Sequence, residues 1–294
     1  MERKASAGSD DPRISVVIPC LNEERNLPYV FGRLPSGIDE VILVDGGSVD
    51  ASVDTARSLW PGIVILQQTR RGKGNALACG FAAATGDIVV MIDADGSTDP
   101  AEIPAFIAAL TAGADVAKGS RFLPGGGSHD ITRLRRWGNW GLSTIVNVLF
   151  RTRYSDLCYG YNAFWRDALP YFDLPDIRAA APDERTTLWG DGFEVETLIN
   201  IRVAGHKLHV TEVPSVESER IHGVSNLNAF TDGFRVLTTI IQEWRRLRRE
   251  PEPVRPTPAT APQPSDPPAG YVRAQTLPPG ALVTPPSVAV SGDV

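Results

Sequence analysis

The chain has 294 residues, of which 42% are hydrophobic, and its formal net charge is -6 at pH 7. This length can bury one large core, and the acidic balance argues against a general nucleic-acid-binding protein. No segment reaches about 18 uninterrupted apolar residues, so we expect no transmembrane helix. Residues 1–12 lack an apolar stretch, so we expect no secretory signal there. We therefore expect a cytoplasmic location. The three widely spaced cysteines suit reduced thiols better than a disulfide or a zinc site.

Three apolar segments early in the chain, at residues 14–18, 40–44 and 87–92, each end in a polar loop and are followed by a helix-like stretch. This alternation predicts an α/β fold with a mostly parallel, Rossmann-like sheet flanked by helices. In such sheets ligands bind in the crevice beyond the carboxyl ends of the strands. The three polar loops are therefore expected to meet at one ligand-binding edge.

The third of these loops begins with Asp93-Ala94-Asp95. Two carboxylates at the end of a buried strand can share one divalent cation and hold it against a diphosphate, although such acids also serve as helix caps. The second loop, residues 45–50, is expected to form a tight turn with Gly47 at positive φ. The basic, glycine-flanked turn at residues 70–75 reaches the same edge, where backbone N–H groups and an ammonium can approach phosphate.

Eight motifs in a fixed order carry a resemblance to a known family: VVIPCLNEE, LVDGGSVD, RRGKGNAL, MIDADGSTDP, KGSRF, RRWGN, DLCYGYNAF and RIHGVSNL. On these motifs the chain resembles the family 2 glycosyltransferases of the GT-A fold over roughly residues 14–245. It is most similar to polyprenyl-phosphate sugar transferases of the dolichol-phosphate mannose synthase type. Each motif alone is loose, but their joint order and spacing are specific. The resemblance implies an inverting, metal-dependent transfer of a sugar from a UDP- or GDP-linked donor to a polyprenyl phosphate.

The resemblance also implies the donor side of the site. Asp93 and Asp95 are expected to be catalytic and to hold Mg²⁺ or Mn²⁺, with Asp95 the more direct ligand and Asp93 shared with the ribose. Asp45 is expected to accept a hydrogen bond from the nucleoside, and Lys73 to contact donor phosphate. Gly46 stands where many relatives have a second acid, so uridine and guanosine both remain open. The expected donor-binding residues are Pro19, Leu21, Asn22, Glu23, Asp45, Gly47, Ser48, Asp50, Gly72, Lys73, Asp93, Ala94 and Asp95.

The acceptor side is expected to be basic. Arg121 follows another apolar strand at residues 114–118 and is expected to be catalytic, near the reacting phosphates, since an arginine fork suits phosphate. The basic, tryptophan-bearing segment at residues 133–140 leads into an apolar helix, which fits either a lipid-phosphate entry at a membrane surface or ordinary helix packing. The helix at residues 230–249 ends in arginines and allows the same two interpretations. The expected acceptor-binding residues are Arg121, Arg135, Arg136, Arg220 and Ser225.

Two rival functions remain open. A family 2 enzyme with a soluble or glycan hydroxyl acceptor needs a general base, for which Asp191 or Glu194 is the candidate, whereas a phosphate acceptor is already an anion and needs none. A non-catalytic, nucleotide-sugar-binding partner subunit is argued against by the intact Asp93-Ala94-Asp95 loop. Asn162 and Asn226 replace an arginine and a lysine common in relatives, and both changes remove positive charge near the expected acceptor.

Composition divides the chain into three parts. Residues 1–12 are expected to be a flexible start, and residues 13–250 are the GT-A glycosyltransferase domain that the resemblance implies. Residues 251–294 contain half of the 24 prolines, and their apolar residues have no regular spacing that would bury one face. We therefore expect this segment to be a disordered tail.

Overall fold

The structure is a computed structural model that describes residues 11–180, 187–223, 229–249 and 272–273. The strands are β1 (Ile14–Cys20), β2 (Glu40–Asp45), β3 (Val64–Gln67), β4 (Ile88–Met91), β5 (Val116–Ser120), β6 (Gly127–Ser128), β7 (Asn162–Trp165), β8 (Val210–Pro214), β9 (Val216–Glu217) and β10 (Val272–Arg273). The α-helices are α1 (Leu27–Gly32), α2 (Ser52–Leu59), α3 (Lys73–Ala83), α4 (Ile103–Thr111), α5 (Arg133–Phe150), α6 (Val195–Gly205) and α7 (Ala229–Leu247). Short 3₁₀ helices span Pro100–Glu102 and Arg166–Phe172.

Eight of the described strands form one sheet in the order β10-β3-β2-β1-β4-β7-β5-β8. Neighbours among β3, β2, β1 and β4 are parallel, and so are β5 and β8. Strand β7 is antiparallel to both β4 and β5, and β10 is antiparallel to β3. The predicted α/β fold with a mostly parallel sheet is confirmed, with β7 as an antiparallel strand that the sequence did not predict.

Alternate residues of the central strands face opposite sides of the sheet. Val16 and Ile18 of β1 belong to the cluster that includes residues of α1, α2 and α4, whereas Val17 belongs to the cluster with α3 and α6. Because helices cover both faces, β1 is apolar on both sides apart from Ser15, rather than alternating apolar and polar. Helix α3 lies so close that a Cβ at Gly80 would be 2.3 Å from Val17 Cγ1.

A third apolar cluster joins α5, α6 and α7 through Val146, Ile201 and Ile240, all 0% exposed. A buried ion pair reinforces it, because Arg202 Nε donates to Glu243 Oε2 at 2.9 Å. Among the described residues, no helix has the length and apolar character needed to cross a membrane.

The predicted ends of the domain fall largely outside the described residues. Residues 1–10 lie outside them, as does the predicted disordered tail apart from β10. In β10, Val272 pairs with Ile65 of β3 in an antiparallel register. The domain boundaries and the disorder predicted for residues 251–294 therefore stay predictions, although residues 272–273 within that range form a strand.

Candidate active site

The loops after β1 and β2 are bonded to each other at the carboxyl edge of the sheet. The Asn22 N–H donates to Ser48 Oγ at 2.9 Å, and Asn22 Oδ1 accepts from the Val49 N–H at 2.8 Å. Asn22 has a φ of 57°, a left-handed conformation that asparagine tolerates better than most residues. The Glu23 N–H donates to Ser52 Oγ at 2.8 Å. These bonds bring predicted donor-binding residues of the two loops together.

Asp45 ends β2 and stabilises the turn that follows it. Its carboxylate accepts from the N–H groups of Gly47 and Ser48, at 3.1 and 3.0 Å, and the residue is 5% exposed. Gly47 has a φ of 91°, so the predicted tight turn is confirmed. Asp50 Oδ1 accepts from the Ser52 N–H at the start of α2, at 3.0 Å. The contact of Asp45 with a nucleoside stays a prediction.

Three further predicted donor-binding residues differ in their position and their exposure to solvent. Pro19 lies within β1 opposite Val44 of β2, and Ala94 is 4% exposed. Leu21 is 55% exposed, just beyond the end of β1. An apolar side chain so exposed at the ligand-binding edge is available to pack against a ligand.

The basic turn at residues 70–75 packs tightly against the chain at Asp191. Gly72 has a φ of 124°, and a Cβ there would lie 2.1 Å from Asp191 O, so only glycine fits. The N–H groups of Gly74 and Asn75 both donate to Asp191 O, at 2.7 and 3.3 Å. The expectation that backbone N–H groups of this turn face phosphate is therefore wrong for these two residues, because a backbone carbonyl already satisfies them.

Lys73 lies between two carboxylates at the start of α3. Its Nζ is 2.5 Å from Asp93 Oδ1 and 2.5 Å from Glu196 Oε1. Burial lowers the pKa of Lys73, but the charges of Asp93 and Glu196 outweigh burial and raise it, so the ammonium stays protonated. Burial raises the pKa of Asp93, and Lys73 opposes that rise while Asp95 and Glu196 add to it. The negative charge at Asp93 is therefore only partly compensated.

Asp95 is bound by Arg220, which lies in the segment after β9. Arg220 Nη2 lies 2.8 Å from Asp95 Oδ2, and Nη1 lies 3.3 Å from Glu23 Oε1. The second oxygen of Asp95, Oδ1, accepts from the Ser97 N–H at 2.9 Å. The structure thus places Arg220, a predicted acceptor residue, against the predicted metal site, whereas Ser225 lies outside the described residues.

The charges of this cluster suit a divalent cation. Its members are Glu23, Asp93, Asp95, Glu196, Lys73 and Arg220. Four carboxylates with two cationic groups leave two negative charges, and hard divalent cations such as Mg²⁺ and Mn²⁺ prefer oxygen ligands. Within the described part of the chain, no three or more His, Cys, Asp or Glu side chains are arranged to hold a metal. The fit therefore depends on Asp93 and Asp95, with other ligands left to donor phosphate and water.

Glu196 is the member of this cluster that sequence reasoning missed. Gly160 makes room for it, since a Cβ at Gly160 would lie 2.2 Å from Glu196 Oε1. The two acids considered as a base lie elsewhere. Asp191 is 0% exposed and receives two hydrogen bonds from Arg70, at 2.7 and 2.9 Å. Glu194 Oε1 accepts from two backbone N–H groups of its own loop. Asp191, Glu194 and Glu196 all lie near the start of α6, and the sequence alone does not distinguish them. The packing of the fold is what places Glu196 against Lys73.

Arg121 lies in a buried ion-pair network. Its Nε and Nη2 donate to the two oxygens of Asp156 at 2.7 and 2.9 Å, and its Nη1 lies 3.0 Å from Glu217 Oε2. The side chains of Arg121 and Asp156 are 4% and 0% exposed. The guanidinium carbon is 4.9 Å from the centre of the Tyr159 ring. Contact of Arg121 with the reacting phosphates stays a prediction, and in the structure its guanidinium has carboxylate partners.

Helix α5 has a basic and aromatic surface next to a cavity. The helix begins where Thr132 Oγ1 accepts from the Arg135 N–H at 3.2 Å. Trp137 and Trp140 are 69% and 63% exposed, with ring centres 5.8 Å apart. The cavity, of about 710 Å³, is lined by both tryptophans and by Arg136, among others. Arg136, a predicted acceptor residue, thus lies beside a cavity with aromatic walls.

Comparison with known proteins identifies the family. Residues 15–172 match the model of glycosyl transferase family 2. The chain belongs to this family. It is 30% identical to an undecaprenyl-phosphate mannosyltransferase of Micrococcus luteus over 80% of this chain and 98% of that protein. It is 31% identical to a polyprenol monophosphomannose synthase of Mycolicibacterium smegmatis over 83% of this chain and 93% of that protein. The predicted activity class, a glycosyltransferase, is confirmed.

Solved structures share the fold of this glycosyltransferase. Glucosyl-3-phosphoglycerate synthase from Mycobacterium tuberculosis, in complex with phosphoglyceric acid, has a TM-score of 0.61 at 24% identity, over 80% of each chain. The same enzyme in complex with Mn²⁺, uridine diphosphate and phosphoglyceric acid has a TM-score of 0.60 at 23% identity, over 79% of this chain and 78% of that one. At these identities the similarity shows the fold alone, and the predicted GT-A fold is confirmed.

Two thiols of this glycosyltransferase, Cys20 and Cys158, are expected to resist thiol–disulfide exchange. Burial raises the pKa of both Cys20 and Cys158 to about 12, so at pH 8 roughly 10⁻⁴ of each thiol would be thiolate. We expect a colorimetric disulfide reagent to label neither residue within minutes in the native protein, and to label all three cysteines after unfolding in guanidinium. Rapid native labelling of Cys20, located by mass spectrometry, would contradict this prediction.

Proposed function

We propose that this glycosyltransferase moves one sugar, with inversion, from a UDP- or GDP-linked donor to a polyprenyl phosphate, and that it depends on Mg²⁺ or Mn²⁺. The observation that carries the proposal is the cluster at the sheet edge, where Asp93 and Asp95 meet Lys73 and Arg220. Carboxylates with surplus negative charge suit the metal, and the two cationic side chains suit phosphate. The names of the two relatives above support a polyprenyl phosphate as acceptor.

The donor would lie along the bonded loops at the sheet edge. Asn22 and Asp45 would bind the nucleoside, and Asp93 with Asp95 would hold the divalent cation. When bound, that cation supplies charge neutralisation for the departing diphosphate. Lys73 has three N–H donors, of which two face Asp93 and Glu196, so one is left for a phosphate oxygen.

The acceptor would need no general base. A phosphate is ionised at neutral pH, so its oxygen can attack the anomeric carbon directly as the bond to the diphosphate breaks and the nucleoside diphosphate leaves. Attack opposite the leaving group inverts the anomeric configuration, and positioning with charge stabilisation supplies most of the rate. The hydrogen bonds that Asp191 and Glu194 accept from protein groups support this acceptor over a hydroxyl.

The surface of α5 supports a peripheral position on an anionic membrane, at its inner face. Helix α5 contains three arginines and neither aspartate nor glutamate, and Arg135 pairs with Asp130 just before the helix, in a chain whose net charge is -6. Trp137, Trp140 and Val148 are exposed on this helix. Arginines beside exposed tryptophans are typical of helices that lie at the lipid headgroups. The cavity beside them would then open where a polyprenyl chain leaves the bilayer.

The decisive test is a donor and acceptor screen. The full chain with Mn²⁺ is expected to transfer radiolabel from one UDP- or GDP-linked sugar into the organic phase when a polyprenyl phosphate is supplied. Chelation of the metal should stop the transfer. Faster labelling of a soluble alcohol than of any prenyl phosphate would instead establish the hydroxyl-acceptor enzyme, for which Glu196, the acid that contacts Lys73, would replace Asp191 and Glu194 as the candidate base.

Vesicle binding is expected to depend on Arg135 and Arg136. Each basic residue near an anionic surface contributes about 1 kcal/mol, so replacing both with glutamine should lower affinity for phosphatidylserine vesicles by about tenfold or more. Binding should also fall with salt, because surface charges are screened within about 8 Å at physiological ionic strength. A matched control replaces Arg33 and Arg57, two exposed arginines of the α1–α2 region, and should bind as the wild type does. Equal losses in the two variants, measured by co-sedimentation, would contradict a role for α5.

A further inference from the structure

The segment of residues 218–223, which follows β9, lies directly on the loop that carries Asp95. The Ile221 N–H donates to Asp95 O at 3.3 Å. Gly96 has a φ of 79°, and a Cβ there would lie 2.6 Å from Ile221 Cδ1. A side chain at Gly96 would displace that of Ile221, so the segment and the loop are packed against each other.

Two more hydrogen bonds attach the segment to the loop after β4 and to the chain after β1. The Ser218 N–H donates to Ser97 O at 2.9 Å, beyond Asp95. Asn26 Nδ2 donates to His222 O at 3.2 Å, on the side of the first loop. The backbone of the segment is thereby placed so that the side chain between these points, Arg220, reaches the carboxylates of both loops.

Arg220 makes two ion pairs from this position. Its Nη2 is 2.8 Å from Asp95 Oδ2, and its Nη1 is 3.3 Å from Glu23 Oε1. The Arg220 side chain is 34% exposed, whereas those of Asp95 and Glu23 are 13% and 12% exposed. An ion pair with so accessible an arginine is screened by water and contributes little net stability, so its partners can exchange.

A divalent cation and Arg220 compete for the same atom. Asp95 Oδ1 already accepts from the Ser97 N–H, and Oδ2 is the oxygen that Arg220 binds. A cation on Oδ2 would sit about 2 to 2.5 Å from it, within about 5 Å of the guanidinium, where two positive charges repel strongly. The charge of Arg220 therefore opposes occupation of this carboxylate by metal, and release of Arg220 favours it.

We propose that Arg220 is an exchangeable counter-ion, which holds Asp95 and Glu23 while the metal is absent and is released by metal binding to engage the acceptor phosphate. The inference rests on the proposed function, because it takes Asp95 as a metal ligand. It makes Arg220 a substrate-binding residue whose release orders the reaction: metal and donor bind first, and the acceptor phosphate binds the guanidinium that they set free. Such coupling is reciprocal, so an acceptor phosphate that draws Arg220 away must also raise the affinity for metal.

The test is a Mn²⁺ titration of the full chain without nucleotide, followed by the electron paramagnetic resonance signal of free Mn²⁺. Removing a competing positive charge should raise the affinity for metal. Arg220→Gln is therefore expected to bind Mn²⁺ roughly threefold to tenfold more tightly than the wild type. Arg220→Lys keeps the charge and should stay close to the wild type. Arg57→Gln removes the same charge from an exposed pair on α2 and should leave Mn²⁺ affinity unchanged.

The outcomes separate this inference from the proposed function. Asp95→Asn should abolish Mn²⁺ binding, and if it binds Mn²⁺ as the wild type does, the metal site and the inference both fail. If Asp95→Asn loses Mn²⁺ but Arg220→Gln binds it no more tightly than the wild type, the inference alone is overturned. Weaker Mn²⁺ binding by Arg220→Gln would overturn it as well, because Arg220 would then support the metal rather than compete with it.

Discussion

Replacing Asp95 with asparagine is expected to abolish sugar transfer while the chain remains folded. The substitution keeps the size of the side chain but removes the charge that the proposed cation would bind, and loss of such charge stabilisation costs roughly 10³-fold or more in kcat. Little stability should be lost, because the Arg220 side chain is 34% exposed and can be rehydrated. Initial rates with saturating donor and prenyl phosphate, alongside thermal unfolding, measure both effects.

Asp93→Asn is the companion variant, and its expected loss of transfer rate is smaller, roughly 10²-fold. In this variant Lys73 would still be held in place by its second partner, Glu196. A control is Asp54→Asn, which removes an exposed carboxylate of α2 and should leave transfer unchanged. Full activity of the wild type in excess chelator would contradict the assignment of Asp93 and Asp95 as metal ligands. Unfolding of Asp95→Asn at room temperature would instead show that the carboxylate has a structural role.

The fold was largely predictable because its strands are local apolar segments. The segments at residues 14–18 and 40–44 became β1 and β2, and both keep their polar loops at the carboxyl edge. Strand β7 escaped prediction because its position depends on pairing with β4 and β5, which are distant in sequence. Pairing between distant segments is a property of the assembled sheet, and no pattern within four residues encodes it.

The residues of the candidate site were predictable where they lie in the polar loops that follow the strands. They were less predictable where their position depends on how helices pack against each other. Asp93 and Asp95 could be identified because they directly follow a buried strand. Glu196 could not, since its contact with Lys73 depends on how α6 packs near α3 and on the absence of a Cβ at Gly160. Arg121 was assigned from its motif alone, and its buried partner Asp156 is 35 residues further along the chain.

Arg121→Ala is expected to destabilise the protein strongly. The variant would leave Asp156, which is 0% exposed, as a buried carboxylate without its cation, and breaking a buried pair in this way costs about 3–5 kcal/mol. For a domain of this size the melting temperature should fall by roughly 6–20 °C, since 1 kcal/mol corresponds to about 2–4 °C. Arg33→Ala is the matched control, because it removes an arginine from an exposed pair with Asp99 and should cost little.

A second substitution separates a structural role of Arg121 from a phosphate-binding one. If the cost arises from the uncompensated charge of Asp156, then adding Asp156→Asn to an Arg121→Met variant should recover part of the lost stability, because the second substitution removes the buried carboxylate that has lost its ion-pair partner. A direct phosphate ligand would behave differently. Arg121→Ala would then keep its melting temperature while KM for prenyl phosphate rises and donor affinity stays unchanged. Because the network of Asp156 and Glu217 already occupies the guanidinium, we expect the first result, with the loss of transfer following the loss of folded protein.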